Sequence, residues 1–124
     1  MHAETVARTS LTRLIDALRD HFGDAVRDIA AAAVLEEPWP QFRLTFTLYD
    51  FVVIDFVRDL GPAAFSVAAG SRNLPLGVAV PGDALDGRAE LGSVLDKLEA
   101  AVRLRIPEHY LAAAPWRSQA GGRA

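Results

Sequence analysis

Between Phe42 and Leu48 the chain alternates without interruption. Phe42, Leu44, Phe46 and Leu48 fall on one side, Arg43, Thr45 and Thr47 on the other. A period of two sends successive side chains to opposite faces of a strand, so Phe42–Tyr49 is expected to be a half-buried β-strand. Three more strand-like runs follow: Phe51–Arg58, Ala63–Ala69 and Leu74–Val80. They are separated by turn residues at Asp50, at Asp59-Leu60-Gly61-Pro62 and at Gly70-Ser71-Arg72-Asn73. Links this short favour an antiparallel meander of four strands.

Helical spacing stands on both sides of these runs. Leu11, Leu14, Ile15, Leu18 and Phe22 make one apolar stripe, with Arg13, Asp16, Arg19 and Asp20 off it. That helix is expected to start at a Thr9 or Ser10 cap, or nearer Glu4. Gly23-Asp24 predicts a kink, because glycine costs about 1 kcal/mol inside a helix. Beyond it, Ala25–Leu35 reads as a second helical segment with Val26, Ile29 and Ala33 on one face, or alternatively as extended chain over Ala30–Leu35. Pro38 and Pro40 end it in either case.

On the C-terminal side, Leu91, Val94, Leu95, Leu98, Val102 and Ile106 predict a helix over Arg88–Arg105, with Asp83 and Asp86 as candidate N-caps. Glu99 and Arg103 stand four apart in the favourable order. Pro107 suits the first turn of a short last helix ending before Pro115. The expected fold is α+β: a kinked N-terminal helix, a four-stranded antiparallel meander, a C-terminal helix and a short final helix. It forms one domain over residues 1–117 with its helices mainly on one sheet face, followed by a disordered tail at 118–124.

Composition narrows the function classes. The 124 residues are 51% hydrophobic with 22 alanines, which excludes disorder of the whole chain. Sixteen acidic and thirteen basic side chains leave a net charge of −3, and the arginines form no basic stripe, so nucleic-acid binding is not expected. The absence of cysteine removes disulfides, thiolate metal sites and cysteine nucleophiles, and fits a reducing compartment. The Met1-His2-Ala3-Glu4 start has no signal-peptide character, and Ala30–Leu35 is too short an apolar run to cross a bilayer. A cytoplasmic protein without membrane contact is expected.

Candidate chemistry is sparse. His2, His21 and His109 form no metal-ligand spacing, the glycines make no phosphate-binding pattern, and no serine sits in a hydrolase setting. Neither cofactor nor metal is expected, and no catalytic residue is assigned. Asp55 shares a strand face with Phe51, Val53 and Val57, so its carboxylate must face water or pair with an arginine such as Arg43. Trp39, between two prolines, is either a recognition anchor or a lid over one end of the core. Tyr110 and Trp116 are expected to pack the C-terminal helix back on the domain.

The second face of the sheet carries more apolar surface than water favours, and Phe42–Tyr49 would be an unguarded edge strand. These features predict a non-enzymatic interaction domain. A protein partner, or a second copy in a homodimer, would dock on that face or that edge through Trp39, Tyr49, Phe51, Val53 and Asp55. The rival reading is a small-molecule-binding domain or small enzyme, with a pocket between sheet and helices lined by Tyr49, Asp55 and Arg58. In element order and size the chain is similar to small bacterial partner-binding domains such as toxin-immunity proteins and secretion chaperones. That resemblance implies a partner-binding role.

Overall fold

The computed structural model describes residues 6–60, 63–87 and 89–113. The strands Gln41–Leu48 (β2), Val52–Arg58 (β3), Ala63–Ala69 (β4) and Arg72–Val80 (β5) lie where alternation predicts them, within two residues at each end. They form the expected meander, but with a fifth strand, β1 (Val26–Leu35), added beside β2; the sheet order is β1-β2-β3-β4-β5, antiparallel throughout. The helix ahead of it, α1 (Val6–Phe22), therefore does not kink at Gly23 and continue. It ends there in a 3-10 turn, Gly23–Ala25, and the chain enters the sheet.

Two bulges explain why β1 reads as a helix. The register slips by one residue between Arg27 and Ala30 and again between Ala32 and Leu35. Asp28 (φ +56°) and Ala33 (φ +53°) adopt left-handed backbone inside those slips. The residues on the core side of β1 thus fall at Val26, Ile29, Ala31 and Val34. Spacings of three, two and three hide the period of two and resemble a helical stripe.

The sheet's inner face is built by Phe42, Leu44, Phe46 and Leu48 of β2, Ile54 and Phe56 of β3 and Phe65 of β4, all buried. Aromatic rings run across the strands: Phe42 to Phe56 at 5.9 Å, Phe56 to Phe65 at 4.9 Å, and Phe65 edge-on to Phe46 at 6.1 Å. Ala7, Leu14, Leu18 and Phe22 of α1 pack into the same core with Val94, Leu95, Leu98 and Val102 of α3 (Gly92–Arg103). The helical layer is completed by α2 (Gly82–Leu85) and by α4 (Glu108–Ala113). Pro107 opens α4 as expected, its carbonyl accepting from the Tyr110 and Leu111 amides. The predicted tail at 118–124, Trp116 and His2 lie outside the described residues.

Helix caps differ from expectation. Thr9 and Ser10 lie inside α1, and Ser10 is buried, accepting a hydrogen bond from the Arg58 guanidinium at 2.6 Å. The first amides of α1 are instead satisfied from a distance in sequence. The Glu36 carboxylate accepts from the N–H groups of Ala7 (2.8 Å) and Arg8 (3.1 Å). A negative charge facing two amides in the first described turn of a helix is favourable through both hydrogen bonding and the helix dipole. Glu36→Ala is expected to lower stability by about 1 kcal/mol in urea denaturation, and Glu36→Gln by less, since an amide oxygen still accepts. At α3, Leu91 occupies the N-cap position with no side-chain cap, so neither Asp83 nor Asp86 caps it. Asp86 is engaged by Arg58 at 3.4 Å.

The helix-free sheet face as a candidate interface

The described helices lie on the inner side, and among the described residues the outer face of the sheet carries only its own side chains. The register sets it out row by row. Thr47 lies beside Val53; Thr45 pairs with Asp55 and Asp55 with Ser66; Arg43 pairs with Val57 and Val57 with Ala64. On β1, Ala30 and Ala32 extend the same rows next to Thr45 and Arg43. Val53 and Val57 are each 43% exposed, and Ala30, Ala32 and Ala64 are exposed as well. Five strands at about 4.8 Å spacing make this face roughly 19 Å wide.

Asp55 stands between the two valines and is 1% exposed, although among the described residues no helix covers it. The cover comes from polar neighbours that reach over it. The Arg43 guanidinium donates twice, Nε to Oδ1 at 3.0 Å and Nη2 to Oδ2 at 2.8 Å. Asn73 Nδ2 donates to Oδ2 at 2.7 Å. The Ser66 hydroxyl donates to the Asp55 carbonyl at 3.4 Å. Arg43 sits two positions along β2 from the residue opposite Asp55, a diagonal that a long side chain spans. Its hydrogen bond to Asp55, and then the carboxylate's charge, raise the Arg43 pKa above the ordinary guanidinium range. The anticipated Arg43–Asp55 pairing is therefore present. Its consequence is a face whose one buried charge is neutralised and hydrogen-bonded in place, flanked by alanine and valine.

The five residues singled out in the sequence do not form one patch. Val53 and Asp55 share the outer face. Phe51, 46% exposed at the β2–β3 turn, has its ring 5.2 Å from that of Tyr110. Tyr49 is buried at the same end, with φ +59°, its amide bonded to the Ala25 carbonyl and its carbonyl accepting the Tyr110 hydroxyl at 2.9 Å. Trp39 lies at the far end of the sheet, half-buried, its indole N–H donating to Asp59 at 2.7 Å. That contact ties the β1–β2 connection to the β3–β4 turn. Tyr49, Asp55 and Arg58 do not converge on a pocket either: Asp55 faces outward, while Arg58 pairs with Phe42 at the end of the β2–β3 ladder opposite the Tyr49 turn.

The edge expectation is corrected by the topology. The Phe42–Tyr49 strand is interior, covered by β1. The true edges are β1, with its two bulges, and β5, which carries Pro75 and Gly77 at φ +74°. Bulges and proline interrupt the row of free backbone groups that another strand would need. The exposed apolar side chains of the sheet, Val53 and Val57, lie instead on its outer face. Among the described residues no helix is long and apolar enough to cross a membrane. No known protein family, curated protein or solved structure matches the chain.

Proposed function

We propose that this chain is a non-enzymatic protein-interaction domain whose partner lies flat on the helix-free face of the sheet. The observation that carries the reading is the pair of half-exposed valines, Val53 and Val57, on either side of an already neutralised Asp55. Covering them removes apolar area from water, and covering the Arg43–Asp55–Asn73 group strands no unpaired charge. The side chains there are suited to recognition rather than bond-making. The setting assigned is the cytoplasm, without nucleic acid or membrane as partner, which the lack of cysteine and the net negative charge fit.

Val53→Asp is the direct test. It places a carboxylate on the face at a position already open to water, so circular dichroism should remain that of the native chain. Co-purification of the native partner and any self-association seen by sedimentation should be lost. Leu104→Asp, at an 86% exposed site beyond α3, should leave both unchanged. Unfolding by Val53→Asp would assign the face to the core and sink the reading, as would assembly that survives the substitution.

A further inference from the structure

We propose that His21, Asp96 and Glu99 form a site for one divalent transition cation of the zinc class, independent of the sheet face. His21 stands in the last turn of α1, and Asp96 and Glu99 are three apart on α3, hence on one side of it. His21 Nε2 is 2.9 Å from Glu99 Oε1 and 3.7 Å from Asp96 Oδ1, and all three atoms lie within 4.8 Å of one another. A four-coordinate zinc with bonds of about 2.0–2.2 Å holds its ligand atoms roughly 3.3 Å apart. The two distances from His21 bracket that value and the third, between the two carboxylates, is at most 4.8 Å, so rotation of the exposed Asp96 side chain is what closes the site.

The chemistry of the three groups agrees with the geometry. One imidazole and two carboxylates neutralise a dication and suit borderline metals that accept nitrogen and oxygen together. When the cation binds, the His21 ring carries its proton on Nδ1 and offers the Nε2 lone pair; the metal takes the position between ring and carboxylates. Glu99 is partly positioned for this already, because Arg103 Nη1 holds the other oxygen, Oε2, at 3.4 Å and leaves Oε1 for the metal. His21 and Glu99 are mostly covered, with side chains 18% and 27% exposed, whereas Asp96 at 74% is the open side. A groove of about 1040 Å³ between α1 and the start of α3 runs up to His21, its wall carrying Asp16, Asp20 and Glu90 as well as Arg8 and Arg13, so it gives a path to the site with a lining of mixed charge.

Isothermal titration with zinc tests the assignment, and a chain without cysteine offers no competing thiolate. The native chain should take up one equivalent and show a rise in Tm that a chelator reverses. His21→Gln, which keeps a donor for Glu99, and Asp96→Asn, at a position 74% exposed, should each weaken binding by about tenfold or more. His109→Ala should bind as the native chain does. Equal affinity in the native, His21→Gln and Asp96→Asn chains, or no zinc-dependent rise in Tm, would overturn the site whatever the sheet face does.

Discussion

Phe56→Ala should cost the protein about 4 kcal/mol of stability, within the range for removing a fully buried phenylalanine. Phe56 has no exposed surface, lies mid-strand in β3, and touches rings on both sides, Phe42 of β2 and Phe65 of β4. Its backbone is held in ladders with both neighbouring strands, so the cavity cannot close by a shift of one element. Domains of this class have total stabilities of about 5–15 kcal/mol, so the loss is a large share of the whole. Chemical denaturation should show the midpoint moving sharply with little change in slope. Phe51→Ala at the half-exposed β2–β3 turn is the comparison; it removes a ring that water already reaches, and should cost about 1 kcal/mol. Similar costs at the two sites would mean that the aromatic row is not the centre of the core.

The same aromatic row shows what could be read from the chain and what could not. Phe42, Leu44, Phe46 and Leu48 announce β2 because the strand is regular and one face is buried, so burial and spacing agree. The stripes of α1 and α3 are legible for the same reason: Leu14, Leu18, Leu95 and Leu98 recur at helical spacing and are buried. β1 was hidden because its two bulges restart the alternation twice, and four consecutive alanines, Ala30–Ala33, carry no contrast between faces. Glu36 as the cap of α1 was hidden because the bonds join residues 28 and 29 positions apart, which no local motif encodes. Of the apolar side chains whose spacing assigns them to the outer face, Val53 and Val57 are exposed there on β3, whereas Phe51 lies in the β2–β3 turn against Tyr110. Tyr49 illustrates the limit: an aromatic beside a turn looks available for recognition, yet its positive φ turns the chain so that the ring packs edge-on to Phe22, beneath the Arg103 guanidinium. The proximity of His21 to Asp96 and Glu99 likewise depends on how α1 and α3 pack, and 75 residues separate His21 from the nearer of the two acids.

The second large effect is expected at Arg43 and Asp55, and its asymmetry is the informative part. Arg43→Met removes both guanidinium bonds and leaves a covered carboxylate with only the Asn73 side-chain donor. A buried charge deprived of its partner is costly, because the desolvation remains while the attraction is gone. Asp55→Ala removes the carboxylate instead; Arg43 is half-exposed and Asn73 is at the surface, so both regain water, and the loss should be only about 1–2 kcal/mol. Arg43→Met should therefore destabilise more than Asp55→Ala when both are unfolded in urea at neutral pH. The double variant Arg43→Met/Asp55→Val should recover most of the loss, since valine continues the Val53–Val57 row and leaves no charge to solvate. With Asp55→Val as the second single change, a double-mutant cycle measures the coupling directly. If Asp55→Ala proves the costlier single change, the carboxylate is supporting more than Arg43 and Asn73, and the neutral, self-contained face on which the docking reading depends would have to be abandoned.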